Sequence, residues 1–149
     1  MSDFPDNPIQ LRIASAAAHL PVVRAALERL CQLLGLEENT SAEIVLAVDE
    51  ALANIIRHAY HGAADKPIEI SFSRVGAGVG QWALRIELRD WGESVDPSRI
   101  KPRALDDIRP GGLGVHLMNK CMDTVQYTPI PEGGTRLTMT RRLAARSDQ

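Results

Sequence analysis

In the run Asp49-Glu50-Ala51-Leu52-Ala53-Asn54-Ile55-Ile56-Arg57-His58, Glu50, Asn54 and His58 recur every four residues within an otherwise apolar segment. Residues at i, i+4 and i+8 of a helix project from one face, so a carboxylate, an amide and an imidazole share one stripe. Ile44, Val48, Leu52, Ile55 and Ile56 give the same helix enough apolar surface to be largely buried, and a buried helix normally avoids such a stripe. The three groups suit a pocket that holds a metal ion and a reacting oxygen, with the carboxylate as base and the amide carbonyl as a hard oxygen ligand. A solvated flank accounts for the stripe as well, because the 3.6-residue period puts polar groups on one face of any amphipathic helix.

A second constellation lies on strands. Trp82, Leu84, Ile86 and Leu88 alternate onto one face and Asp90 continues it, so an acid closes an apolar side. A carboxylate aimed at a core costs several kcal/mol unless it is paired or bonded to donors. Thr135 likewise opens the face of Leu137 and Met139. On neighbouring strands Asp90 and Thr135 would meet at the floor of one pocket, an acceptor beside a donor and acceptor, which suits the exocyclic amino group and ring nitrogen of adenine. A strand-end turn acid and an ordinary strand threonine are the plainer readings. Third, Gly111-Gly112-Leu113-Gly114 precedes a helix, whose first N–H groups and positive dipole end suit a polyphosphate. A flexible loop before a helix has the same signature, and no G-x-x-x-x-G-K-[ST] occurs.

The elements that must position these groups follow from period and punctuation. Pro8 to Ile13 alternates as a first strand, and a helix follows from Pro21 to a stop at Gly35. Ser41 is read as the cap of the second helix, which carries the polar stripe to near Gly62. Pro67 to Val75 and Gln81 to Asp90 form a hairpin about the glycine-rich turn 76–80. Gly92 to Gly112 has no period and reads as a long loop, the kind that is usually functional in a compact domain. Val115 to Met122 is a short helix, Thr124 to Thr128 and Thr135 to Leu143 are strands, and Ala144 to Gln149 is an end expected to fray.

Composition bounds the rest. A chain of 149 residues is expected to form one domain over 1–149, long enough to bury roughly 70% of its unfolded surface. Cys31 and Cys121 fall in apolar helical patterns without C-x-x-C spacing and read as buried free thiols. A net charge of −2 gives no electrostatic case for direct nucleic-acid binding. No apolar run approaches a membrane span, and the N-terminus Met-Ser-Asp-Phe-Pro-Asp lacks the apolar stretch of a secretory signal, so a cytoplasmic protein is expected.

In this order the pieces resemble the GHKL (Bergerat-fold) ATP-binding domain, and within it the anti-sigma serine/threonine kinases of the RsbW type. The likeness spans nearly the whole chain. Glu50 and Asn54 match the family's N-box, Asp90-Trp91-Gly92 its G1 box, Gly112-Leu113-Gly114 its G2 box and Gly134-Thr135 its closing Gly-Thr. The resemblance implies an α+β two-layer sandwich, a mainly antiparallel mixed sheet with helices on one face, and ATP between the second helix and a lid loop at about 92–112. It implies Glu50 as general base, Asn54 as Mg²⁺ ligand, Asp90 as adenine reader, and Gly92, Gly112 and Gly114 as nucleotide-loop glycines. His58, Arg109, Gly111, Leu113, Val115 and Thr135 complete the expected ATP site, Arg109 as a phosphate-sensing lid residue. The sequence departs from the pattern at Ser94, where the wider superfamily has a second G1 glycine, and at Trp91, bulky beside the expected adenine. The implied partners are a STAS-domain anti-anti-sigma factor as protein substrate and a sigma factor, with a homodimer expected as in many relatives. A module that uses ATP only to set its shape is the alternative.

Overall fold

Ile68, Ile70 and Phe72 alternate with polar residues, as do Leu84, Ile86 and Leu88, and all six are buried on one side of a sheet in the computed structural model, which describes residues 7–93 and 112–143. Among the described residues the sheet has five strands: β1 (Ile9–Ala14), β2 (Pro67–Gly78), β3 (Gln81–Asp90), β4 (Thr124–Pro129) and β5 (Thr135–Leu143). Their spatial order is β1-β2-β3-β5-β4, and all four pairings are antiparallel. Helices α1 (Leu20–Leu33), α2 (Glu38–Asn54) and α3 (Gly112–Cys121) complete the α+β architecture. Helix α2 packs between α1 and α3. Val23 and Leu27 of α1, Ile44 and Leu52 of α2 and Met118 of α3 join the sheet's apolar side in one core. Burial of each large apolar side chain is worth about 1.5–3 kcal/mol, which is what pins α2, and so the polar stripe, onto the sheet. The opposite side of the sheet is polar, with an exposed Arg12–Glu69 ion pair at 3.0 Å.

Several boundaries differ from the sequence reading. Helix α2 starts earlier, with Glu37 at the N-cap and no side-chain cap bond. The Ser41 N–H already donates to the Glu37 carbonyl at 2.9 Å, so Ser41 is not the cap. Glu38 sits in the first turn, where the positive end of the helix favours an acid. At its far end α2 gives way to a π-helical turn, Ile55–Ala59, where the expectation was an unbroken α-helix to Gly62. The chain leaves that turn through left-handed His61 (φ 49) and Gly62 (φ 82). Helix α3 begins at Gly112 rather than Val115, so Gly112, Leu113, Gly114 and Val115 form its first turn. The tail from Ala144 lies outside the described residues.

Pro21 sits in the first turn of α1, and Gly35 follows that helix at φ 71, both as the sequence indicated. Helix α1 turns Val23, Leu27, Leu30 and Cys31 into the core of its own chain. Both cysteines are free and buried, and burial pushes both thiols up from their ordinary range, which makes them poor nucleophiles. Among the described residues no helix is long and apolar enough to cross a membrane.

Candidate functional site

Strand register brings the second constellation together. β3 and β5 are neighbours, with Asp90 opposite Thr135, and both residues are buried on the helix side. Two glycines allow this closure. Gly134 has φ 84, and a Cβ there would land on the Asp90 carbonyl. A Cβ on Gly92 would land on the carbonyl of Ala59 in the π turn. In both places backbone approaches backbone more closely than a side chain permits.

The Asp90 carboxylate is 4% exposed. Burial raises its pKa above the ordinary carboxylate range, opposed by a hydrogen bond from the Gly92 N–H, the charge of Arg89 and a backbone hydrogen bond from Thr135. The Gly92 N–H reaches Asp90 Oδ1 at 3.0 Å. The guanidinium of Arg89 donates to the Gly133 carbonyl at 2.9 Å and to the Asp90 carbonyl, tying the end of β3 to the turn before β5.

The π turn holds the other wall. At its last residue the Ala59 carbonyl, beyond the reach of an intrahelical donor, accepts the Glu93 N–H at 3.0 Å. Next to it, the Tyr60 hydroxyl donates to the Pro67 carbonyl at 2.6 Å and accepts the Trp91 N–H at 2.8 Å. His61 and Glu93 meet at the surface, 2.7 Å apart. The segment Asp90-Trp91-Gly92-Glu93 is therefore tied to the π turn and the two residues after it by the Ala59 carbonyl, the Tyr60 phenol and the His61–Glu93 side-chain contact.

Between these walls lies a small cavity lined by Asn54, His58 and Ala59 from α2 and the π turn, Asp90 from β3, Thr135 from β5, and Tyr127 from β4. Both polar atoms of the Asn54 amide, the Thr135 hydroxyl and the Tyr127 hydroxyl are buried there with no hydrogen-bond partner among the described residues. An orphaned buried polar atom costs about 1–3 kcal/mol, so four of them around one cavity mark a place where partners are to be supplied from outside the described residues. A nucleotide base and phosphates carry such partners, and the Asn54 carbonyl oxygen is the hard donor that Mg²⁺ takes. Among the described residues no three His, Cys, Asp or Glu side chains cluster as a metal cage. A cation here would draw on Asn54 and on phosphate oxygens, the usual pattern for Mg²⁺.

The structure thus brings Asn54, His58, Asp90 and Thr135 to one cavity, with Gly92 beside Asp90 through its N–H. His58 is exposed at the rim. Glu50 lies one turn before Asn54, half-buried, and is not in the cavity wall. Arg109, Gly111 and Ser94 lie outside the described residues. The Trp91 ring is not beside the cavity. It sits under the guanidinium of Arg89, 4.6 Å away, and lines a groove on the polar side of the sheet together with Arg12 and Glu69, because alternation turns it away from the side that Asp90 faces. Tyr127 and Tyr60 were missed. Thr124 to Thr128 reads only as a strand; its alternation sets Tyr127 on the side of Val125, but nothing local marks the hydroxyl as lacking a partner.

Comparison with known proteins agrees with this geometry. The model of the histidine kinase-like ATPase domain family matches residues 13–141. The serine-protein kinase RsbW of Oceanobacillus iheyensis is 25% identical over 144 residues, covering 91% of this chain and 87% of that protein. The serine-protein kinase RsbW of Bacillus licheniformis is 29% identical over 143 residues, covering 91% and 85%. The fold is shared with the structure of the RsbU and RsbW domains of Rv1364c from Mycobacterium tuberculosis, at a TM-score of 0.65 and 21% identity over 97% of this chain and 35% of that one. It is also shared with the SiaB–SiaC complex from Pseudomonas aeruginosa, at a TM-score of 0.60 and 10% identity over 91% and 89%. A family match across most of the chain, on a fold that sets the Asn54 amide near the Asp90–Thr135 pair, shows that the chain belongs to the histidine kinase-like ATPase domain family.

Proposed function

We propose that this protein is an ATP-dependent serine/threonine protein kinase and anti-sigma factor that phosphorylates a STAS-domain anti-anti-sigma factor in a partner-switching module. The observation that carries the nucleotide site is the Asn54 amide, buried and unpartnered beside the Asp90–Thr135 pair. The similarity to serine-protein kinases RsbW supports the choice of kinase.

In this reading Asp90 accepts the exocyclic amino group of adenine and Thr135 lies against the same edge of the base. The first-turn N–H groups of α3, from Gly112 to Val115, face the phosphates, where a helix N-terminus favours negative charge. Gly111 gives the preceding backbone room, Arg109 senses the phosphates from the lid segment, and His58 borders the mouth. Asn54 would hold Mg²⁺ by its carbonyl oxygen, and the cation would supply positive charge against the negative charge that grows on the phosphates during transfer. Glu50 takes the proton from the partner's serine or threonine hydroxyl as that oxygen bonds to the γ-phosphorus and the bond to ADP breaks. The partner then carries the phosphate and releases this protein to hold its sigma factor. A single cytoplasmic domain, assembled as a homodimer and contacting neither membrane nor DNA directly, completes the proposal.

The placement of Glu50 outside the cavity wall favours a second reading, an ATP-gated binding module without phosphotransfer. The protein is incubated with Mg²⁺, γ-labelled ATP and purified STAS-domain proteins, with Glu50→Gln in parallel. Label is expected on a partner serine or threonine, with a rate falling about 10²- to 10⁴-fold in the variant. ATP binding with no transfer to any STAS domain would establish the second reading instead.

A further inference from the structure

Among the described residues of the cavity wall, Tyr127 carries a polar group that neither the sequence motifs nor the proposed chemistry uses. It stands on β4 opposite Leu137 of β5, two register positions from the Pro129–Thr135 pair, and so on the side of the sheet that Asp90 faces. A phenylalanine would fill the same space, so the apolar part of the ring explains packing and not the hydroxyl. Among the described residues that hydroxyl is buried without a hydrogen-bond partner, although the Asn54 amide and the Thr135 hydroxyl line the same cavity and are equally unpartnered. None of these groups bonds to another, so the geometry calls for a ligand that offers several polar atoms at once. A purine edge does this, with ring nitrogens that accept and an amino group that donates. Burial pushes the phenol up to about 12, so it stays protonated at neutral pH and is available as a donor.

We infer that Tyr127 is a base-recognition residue whose hydroxyl donates a hydrogen bond to a ring nitrogen of the bound purine nucleotide. The inference rests on the cavity being the nucleotide site proposed above and adds a contact made from β4, on the far side of β5 from Asp90. It divides the labour: Asp90 accepts from the base and Tyr127 donates to it, so a purine with a ring nitrogen replaced by carbon is disfavoured even when its amino group is intact.

Calorimetric titration of the wild type and of Tyr127→Phe with Mg²⁺ and ATP, 7-deaza-ATP or 1-deaza-ATP tests this. Tyr127→Phe is expected to bind ATP about 10-fold more weakly, the worth of one hydrogen bond. On the wild type one of the two deaza nucleotides shows a similar loss, and on the variant that nucleotide binds as well as ATP does. The nucleotide-free variant melts no lower than the wild type, because the hydroxyl it lost had no partner. Equal ATP affinity of the two proteins, or wild-type binding of both deaza nucleotides as tight as ATP, overturns the assignment of Tyr127 while leaving the nucleotide site standing. A wild type that binds no ATP overturns both.

Discussion

Asp90 shows how much one side chain is asked to do. Its carboxylate is buried, raised in pKa by that burial, and only partly compensated by the Gly92 N–H, Arg89 and Thr135. A carboxyl whose folded pKa lies above its ordinary 3.8 holds its proton more tightly folded than unfolded. Its contribution to stability is then fully present below the unfolded value and is lost as pH rises through the folded one. Relative to Asp90→Asn, the nucleotide-free wild type should therefore lose stability between acid and neutral pH, as read by urea denaturation across that range. A difference that grows in the other direction would mean the carboxylate is stabilised by its donors. Gly92 makes a sterically sharper case. With Ala59 Cβ 2.9 Å from where its own Cβ would stand, Gly92→Ala forces the π turn and the end of β3 apart, and a loss of about 1–3 kcal/mol is expected from overpacking. Urea midpoints measure it, and an unchanged midpoint would show that the two backbones separate freely.

At the scale of elements, the π turn and the end of β3 act as one unit. The Tyr60 hydroxyl accepts the Trp91 N–H and donates to the Pro67 carbonyl, so Tyr60→Phe orphans a backbone N–H and should cost about 1–3 kcal/mol. Faster amide exchange at Trp91 would locate that loss, and unchanged protection there would assign Tyr60 to packing alone. This coupling was not legible in the sequence. The stripe Glu50, Asn54, His58 was, because helical period is a local property. So was the Asp90–Thr135 pairing, because alternation carried both onto one face and only the neighbourhood of β3 and β5 had to be supplied. The carbonyl of Ala59, at the end of the π turn, finds its partner 34 residues later, a tertiary contact with no local signal. The start of α2 was misplaced because Ser41 looks like a cap, while the helix in fact begins after Glu37, with Glu38 in its first turn. Trp91 was set beside the base because the motif was read as a string, when alternation turns each successive side chain to the opposite side of the sheet.

For the whole molecule, the design is a sheet that buries one side under three helices and leaves a seam of unpartnered polar atoms where α2 and the π turn meet β3, β4 and β5. The core around Leu27, Leu52 and Phe72 supplies the stability that lets such a seam persist. A nucleotide that satisfies those atoms binds only the folded chain and must stabilise it by mass action, about 2.7 kcal/mol at a concentration one hundred times its dissociation constant. Thermal melts with and without Mg²⁺ and ATP should show this as a rise in Tm that depends on nucleotide concentration. The central claim, that the cavity between Asn54 and the Asp90–Thr135 pair is an ATP site, is tested most directly by calorimetric titration of Mg²⁺ and ATP into the wild type and Asp90→Asn at neutral pH. The account predicts saturable binding at one site per chain in the wild type and at least a tenfold loss in the variant, the effect of removing a charged hydrogen-bond acceptor worth about 1.5–3 kcal/mol. Equal binding by the two proteins would place ATP elsewhere on the chain, and no binding by the wild type would contradict the claim outright.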